Sequence, residues 1–230
     1  MAKQFEYAAS LDAEGRLLGV VRRSAVQEAR AERADSDYRK AFGIVGGEEL
    51  RTMPLLRRST RRLAWLTVNV LLNVVAASVI AFHQETLAAV VALAVFLPII
   101  SDMSGCSGNQ AVAVSMRELS LGLVRPTDVL RVVLKEASVG IVNGTALGLL
   151  LGTLAGWWQG NLYFGLVVGA ALAVNTLVAV SIGGSVPLVL KRLGFDPALA
   201  SGPVLTTITD LVGFFLALTM ASAMLPRLVA

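Results

Sequence analysis

A short polar stretch lies inside one of the longest apolar runs of this 230-residue chain. It covers residues 98–110 and contains a carboxylate at Asp102, an amide pair at Asn109 and Gln110, three serines and two glycines. Hydrocarbon tolerates such groups only where they face a water-filled path or another protein surface. The stretch therefore indicates one wall of an ion path. A polar contact between helices, without a transport role, is the alternative that these residues leave open.

A second carboxylate, Asp210, lies about two helical turns into the last apolar segment, which begins near Pro203. A charged carboxylate at that depth costs about 3 kcal/mol or more unless it is paired or hydrated. No Lys or Arg lies within the apolar segments that contain Asp102 and Asp210, so a bound cation is the simplest compensating charge. The possible ligands in these segments are mostly oxygen atoms, which argues against copper or zinc. The sulfur of Cys106, the only cysteine, is the one softer ligand atom among them.

The composition indicates a membrane protein, because 55% of the residues are hydrophobic and the mean hydropathy is +0.70. A helix needs about 20 apolar residues to cross a bilayer. Five segments reach that length: Leu63–Phe82, Leu87–Met116, Val129–Gly156, Tyr163–Leu190 and Pro203–Leu225. The predicted fold class is therefore an all-α polytopic membrane protein with five transmembrane helices.

Basic residues indicate the orientation of these helices. Of the 20 Lys and Arg, 13 precede the first segment, six more lie near the loops on that same side, and only Arg227 lies on the other. The positive-inside rule then predicts a multi-pass protein of the cell (inner) membrane, with its N-terminus cytoplasmic and its C-terminus outside. The net charge of +4 follows from this bias, so the expected partner is the lipid bilayer and no nucleic acid.

Two further patterns predict local structure. Leu11–Val21 is typical of a β-hairpin, with a Glu14-Gly15 turn followed by alternating apolar residues, and a helix is expected after it. In the third segment, glycine recurs at every fourth position from Gly140 to Gly156. That spacing allows helix backbones to approach closely, so we expect tight packing there.

The hairpin and the helix after it resemble the last strand pair and helix of a CBS domain. Together with the five apolar segments, the resemblance implies three regions: a cytoplasmic CBS-like remnant (1–33), a connecting helix region (34–62) and a five-helix transmembrane ion-transport domain (63–230). A whole pair of CBS domains is several times longer than this stretch, so the sequence leaves open whether a separate cytoplasmic regulatory chain supplies the rest.

Four linked motifs resemble those of MgtE-type magnesium transporters, in the same order and over roughly residues 55–230. They are Phe96-Leu97-Pro98 with Gly105 and Gly108-Asn109-Gln110, then Leu134-Lys135-Glu136, then Arg192-Leu193-Gly194-Phe195-Asp196-Pro197-Ala198, and Thr209-Asp210-Leu211-Val212-Gly213. The family implies a homodimer with a magnesium pore at the subunit interface, lined by helices two and five, and Mg²⁺ as the transported ion.

The resemblance also implies roles for individual residues. Asp210 would be the main acidic ligand, assisted by Asn109 and the backbone carbonyl of Ala94, with Glu136 and Asp196 near the cytoplasmic mouth. The other expected pore-lining or structural residues are Pro98, Gly105, Gly108, Gln110, Gly202, Thr206 and Thr209. Three positions depart from the family pattern: Cys106 replaces an Asn, Gly202 stands where an Asn amide helps, and Asp102 adds a second carboxylate to the metal-binding set.

The first expectation is a passive channel for magnesium or a broader set of divalent cations. An ion-coupled exchanger would use Asp102 and Asp210 as proton or sodium sites, and a membrane scaffold would use the polar residues only to assemble helices. An enzyme is not expected, since the sequence has no nucleophile–base constellation, no H-E-x-x-H and no phosphate loop.

Overall fold

The computed structural model describes residues 7–11, 13–44 and 50–229. It begins with an antiparallel hairpin of β1 (Tyr7–Leu11) and β2 (Leu17–Arg22). The turn contains Gly15 in a left-handed conformation, with φ of 79°, which confirms the predicted hairpin. Helix α1 (Arg23–Ala41) follows β2 directly and ends just before Gly43, where φ is 73°.

The remaining described residues are almost entirely helical. The helices are α2 (Leu55–Phe82), α3 (Gln84–Ala89), α4 (Leu93–Leu121), α5 (Val129–Gln159), α6 (Leu162–Arg192), α7 (Pro197–Ala223) and α8 (Leu225–Leu228). Among the described residues, four helices are long and apolar enough to cross a membrane, namely α2, α5, α6 and α7. Helix α4 is long enough, with 29 residues, but the polar stretch keeps it out of this group.

The second predicted segment, Leu87–Met116, is not one helix. Short α3 ends at Ala89, and Val90 leaves helical geometry with φ of −129° and ψ of 69°, which a β-branched residue accommodates well. Helix α4 then starts at Leu93 and continues through Pro98. Pro98 does not end the helix, because it removes only one of the backbone hydrogen bonds of α4.

Two helices cross the boundaries that the sequence suggested. Helix α1 is continuous across residues 33 and 34, and α2 begins at Leu55, so it includes the arginines that precede residue 63. The assignment of residues 1–33 to a CBS-like remnant and 34–62 to a connecting region stays a prediction. The described helices nevertheless show no change of element at either boundary.

Helix α6 is the centre of the bundle and contacts α4, α5 and α7. Its contact with α5 uses the glycine stripe: a Cβ atom at Gly148 would lie 2.6 Å from the carbonyl oxygen of Gly169. At Gly152 it would lie 2.8 Å from the carbonyl oxygen of Gly165. The two backbones are therefore in direct contact, as the four-residue spacing predicted.

One apolar cluster fills the half of the bundle that contains the start of α4. Phe96 of α4 packs edge-on against Phe164 of α6, with ring centroids 5.4 Å apart, and buried residues of α5 and α7 complete the cluster. Helix α2 lies at the periphery, where Ala76 is its one fully buried residue and α7 is its main neighbour. The polar part of α4 begins just beyond the apolar cluster.

Replacing Gly148 by Leu should destabilise the bundle, because the new side chain meets the α6 backbone and overpacking costs about 1–3 kcal/mol. We expect a lower melting temperature in detergent and a lower yield of monodisperse protein. Ala146→Leu adds comparable bulk on the exposed side of α5 and serves as the control. Equal melting temperatures for the two variants would contradict the backbone contact.

Candidate functional site

The polar residues of α4 lie on two different faces of that helix. Ser101, Ser104 and Ser107 are buried against the bundle. Asp102, Cys106, Asn109 and Gln110 are exposed and, at spacings of three and four residues, follow one exposed face of the helix. We call this exposed set the α4 polar face. Serine is small enough to pack between helices, whereas the carboxylate and the amides remain exposed within a single chain.

Asp210 of α7 is buried against α4, with 9% of its surface exposed. The hydroxyl of Ser101 donates a hydrogen bond to its Oδ1 atom. The carboxylate of Asp102, the next residue along α4, lies near enough to interact electrostatically with Asp210. No salt bridge involves Asp210 among the described residues, so its negative charge has a hydroxyl partner but no positive one.

Glycines on α4 allow close contact with the neighbouring helices. A Cβ atom at Gly105 would lie 3.6 Å from Oγ1 of Thr209, so this glycine packs against the turn of α7 that ends in Asp210. A Cβ atom at Gly108 would lie 2.8 Å from the carbonyl oxygen of Ala179 on α6. Thr209 itself is fully buried and its hydroxyl donates to the carbonyl of Thr206 at 2.9 Å.

The start of α4 has a backbone carbonyl that lacks its usual helical hydrogen bond. Pro98 has no N–H, so it cannot donate the helical hydrogen bond to the carbonyl of Ala94, four residues earlier. Both residues are exposed. On α7, Thr206 is exposed and Gly202 is half-buried, and Pro203 has the same effect on the carbonyl of Leu199.

The sequence-predicted residues form one cluster and several separate positions. Asp102, Asp210, Gly105 and Thr209 lie at the contact between α4 and α7. Asn109 lies seven residues beyond Asp102, which is about 10 Å along the helix. Asp196 lies at the start of α7, fourteen residues and about 21 Å before Asp210. Within one chain, these groups are therefore too far apart to enclose one ion.

Glu136 lies apart from this cluster, on α5. It is half-buried, and its side chain packs on Gly184 of α6, where a Cβ atom would lie 2.6 Å from its Cγ. The carboxylate of Glu118, at the end of α4, is its electrostatic neighbour. Glu136 therefore lies where the last turns of α4 and the first turns of α5 approach α6.

Asp196 links α7 to the N-terminal region. Its Oδ1 accepts a hydrogen bond from the N–H of Ala198 at 3.0 Å, which caps the first turn of α7. Its Oδ2 accepts one from Nζ of Lys40, on α1, at 2.7 Å.

These contacts affect the acidity of Asp196. Partial burial acts to raise the pKa of its carboxyl, but the hydrogen bonds from Lys40 and Ala198 favour the ionised form. With the charges of Lys40 and Lys191, they hold that pKa below its ordinary value.

No group of three or more His, Cys, Asp or Glu side chains that could hold a metal occurs in the part of the chain that the structure describes. A cation at the α4–α7 contact would meet two carboxylates from one chain, Asp102 and Asp210. This donor set suits a hard cation that keeps part of its water shell.

The chain matches the family model described as "Divalent cation transporter" (MgtE) over residues 97–220, more than half of its length. The chain belongs to the MgtE family. Membership in a family of membrane transporters agrees with the expectation that the chain is not an enzyme.

Three curated relatives carry the name "Magnesium transporter MgtE". The Enterococcus faecalis protein is 34% identical over 92% of this chain and 46% of its own length. The Bacillus subtilis protein is 31% identical over 92% and 47%, and the Thermus thermophilus protein is 33% identical over 94% and 48%. The chain therefore spans about half the length of the MgtE relatives that it matches.

Two residues of the site were not singled out from the sequence. Ser101 belongs to the polar stretch, but nothing in its spacing shows that it, and not Asp102, would contact Asp210. Asn175 is the one amide within the apolar middle of α6, and its side chain contacts the backbones of both α4 and α7. An isolated amide in an apolar helix was the available signal.

Replacing Asp196 separates its two roles. Asp196→Asn keeps an oxygen that accepts from the Ala198 N–H but loses the ion pair with Lys40. The side chains of that pair are 38% and 40% exposed, so the pair contributes less than about 1 kcal/mol to the free energy of unfolding. Asp196→Ala also loses the cap, about 0.5–2 kcal/mol more. Melting temperatures should fall in the order wild type, Asn, Ala, and a milder effect for Ala than for Asn would contradict the capping role.

The lowered pKa of Asp196 predicts that the stability difference between wild type and Asp196→Asn depends on pH. Since the folded-state pKa of Asp196 is lowered, its stabilising effect is fully present above the ordinary aspartate range and is lost as the pH falls through the folded pKa. The difference in melting temperature between wild type and Asp196→Asn should therefore be constant near neutral pH and shrink on acidification. A difference that grows on acidification would exclude this electrostatic origin.

Proposed function

We propose that this chain transports magnesium across the membrane, as a homodimer whose ion path lies between the subunits and is lined by α4 and α7. The observation that carries the proposal is the α4 polar face, which presents Asp102, Asn109 and Gln110 on the outside of an otherwise apolar bundle. The names of the three curated relatives support magnesium as the ion.

The proposal includes α4 as a fifth transmembrane helix. Its 29 residues extend about 43 Å, which is sufficient for a bilayer. Its buried face packs against α6 and α7, both of which are apolar enough to span a membrane. Because lipid cannot solvate the α4 polar face, a second copy of the chain and the water between the copies are its most suitable surroundings.

Magnesium chemistry fits these residues. The ion releases its water reluctantly and is usually bound through one or two carboxylates, so a path sized for the hydrated ion can select it through oxygen contacts. Asp102 and Asp210 would supply the charge. Asn109 and the carbonyl of Ala94 would supply neutral oxygens, with Pro98, Gln110, Gly202 and Thr206 along the same path.

The finer topology is also part of the proposal. The distribution of basic residues supports a cytoplasmic N-terminus and an outer C-terminus in a cell (inner) membrane. Glu136 and Asp196 would then lie at the cytoplasmic mouth and concentrate cations before they enter. Because the chain matches about half of each relative, regulation by a separate cytoplasmic chain stays a prediction.

Uptake of Mg²⁺ into proteoliposomes under an imposed potassium diffusion potential tests the proposal. A channel needs only the voltage, whereas an exchanger also needs a proton or sodium gradient. If dimers form but no flux appears under any gradient, the polar residues serve assembly alone and the transport proposal fails.

Asp210→Asn should reduce Mg²⁺ flux by more than roughly 10-fold, the loss typical of removing even an outer-shell partner of a metal site. The substitution removes the charge and keeps the shape, so protein yield and oligomeric state should not change. Glu85→Gln, on the exposed first turn of α3, is the control for loss of a carboxylate. Flux near the wild-type level in the Asp210 variant would remove this residue from the path.

Cys106 gives a direct measure of access to the α4 polar face. It is exposed and lies on the same face as Asp102 and Asn109, so a charged methanethiosulfonate reagent in water should modify it and block flux. Cys106→Ala should be fully resistant, since Cys106 is the only cysteine. If lipid covers this face, the reagent will leave the flux of the wild-type chain unchanged, and the assignment of α4 to the pore will be wrong.

A further inference from the structure

Asn175 makes a contact that the proposed transport does not yet explain. It lies in the middle of α6 and is fully buried. Its Nδ2 donates one hydrogen bond to the carbonyl of Ile100 on α4 at 3.4 Å and another to the carbonyl of Thr209 on α7 at 3.0 Å. A single amide of α6 therefore joins the backbones of the two helices proposed to line the path.

The two carbonyls occupy matching positions. Ile100 immediately precedes Ser101, and Thr209 immediately precedes Asp210, while Ser101 and Asp210 are themselves hydrogen-bonded. Both partners of Asn175 are acceptors, so its NH₂ group, and not its oxygen, must face them. The amide thus holds α4 and α7 at a defined separation on the level of the Asp210 carboxylate.

The surroundings of Asn175 are adapted to this side chain. A Cβ atom at Gly213, one turn beyond Thr209, would lie 2.6 Å from Nδ2, so a glycine leaves the space that the amide occupies. The Oδ1 atom has no hydrogen-bond partner among the described residues. An unpaired buried acceptor is unfavourable, and an apolar side chain at this position would avoid it. The two donated hydrogen bonds are therefore the feature that favours an asparagine here.

We infer that Asn175 is a positioning residue for cation selectivity. It fixes the separation of α4 and α7 at the level of Asp210. That separation sets the width of the proposed path where the carboxylate meets a hydrated divalent cation. The inference rests on the proposed function, because it requires Asp210 to line the path. A change at Asn175 should then alter the preference between the smaller Mg²⁺ and the larger Ca²⁺, beyond any effect on stability.

The test compares Asn175→Leu with Thr176→Val in proteoliposomes. Leucine keeps the approximate shape of asparagine and removes both donors. Thr176 is the adjacent residue, equally buried, and its hydroxyl lies 3.3 Å from that of Ser104. The readouts are the Mg²⁺ concentration for half-maximal flux, the maximal flux, the Mg²⁺/Ca²⁺ flux ratio and the melting temperature.

Asn175→Leu should raise the half-saturating Mg²⁺ concentration and lower the Mg²⁺/Ca²⁺ ratio, each by roughly 10-fold, as is typical when an outer-shell partner of a metal site is lost. Thr176→Val should leave the half-saturating Mg²⁺ concentration and the Mg²⁺/Ca²⁺ flux ratio within about twofold of wild type. We set this margin well below the 10–100-fold change typical of losing an outer-shell partner of a metal site. If Asn175→Leu gives no monodisperse protein, Asn175→Ala, which removes both donors and adds neither bulk nor charge, takes its place.

A double-mutant cycle strengthens the test. Ser101→Ala and Asn175→Leu both act through the position of Asp210, so their effects on half-saturation should not add. Unchanged half-saturation and ion ratio in Asn175→Leu, with only a lower melting temperature, would overturn the inference. Asp210→Asn identifies which idea has failed: normal flux in that variant refutes the proposed path, whereas lost flux together with an unaffected Asn175 variant refutes only the positioning role.

Discussion

The carboxylate of Asp210 imposes the main constraint on this bundle. A charged group inside a membrane span costs about 2.5–3.5 kcal/mol by insertion measurements unless it has partners. The structure supplies a hydroxyl from Ser101, which requires α4 and α7 to be in contact at that level. One turn along α4, Gly105 leaves room for the side chain of Thr209, so the polar contact and the small residue beside it depend on each other.

The contact between α4 and α7 in turn depends on α6. Inside a bilayer, helices gain little from the hydrophobic effect, and association depends on close packing and hydrogen bonds. Helix α6 provides both. Its backbone touches Gly108 of α4 on one side and the glycine stripe of α5 on the other, and its Asn175 binds the backbones of α4 and α7. Large side chains at these positions would separate the helices and leave Asp210 without its hydroxyl partner.

The sequence predicted features that depend on local pattern. The turn at Gly15 and the spacing from Gly140 to Gly156 were sufficient for the hairpin and for the α5–α6 contact. The polar stretch located α4, but it did not show which of its polar residues would be buried. Ser101, Asp102 and Ser104 follow one another within four positions, so hydropathy alone cannot assign them to the buried or the exposed face of α4.

Other features depend on partners far away in the chain. The Lys40–Asp196 pair joins residues 156 positions apart, and no local pattern indicates it. The role of Asn175 exists only because three helices converge on one amide. Tertiary packing decided each of these features.

The surfaces of α2 and α4 differ in a way that bears on assembly. Helix α2 exposes apolar side chains on nearly all sides, and lipid can cover them. Helix α4 exposes a carboxylate and two amides, which lipid cannot solvate. In the proposed dimer, two copies would bring Asp102 and Asp210 of both chains to one path, and these carboxylates would repel one another in the absence of a cation. A bound cation would offset the repulsion between carboxylates of different chains, which exists only in the assembled state, so cation occupancy and subunit association are thermodynamically linked in such a dimer.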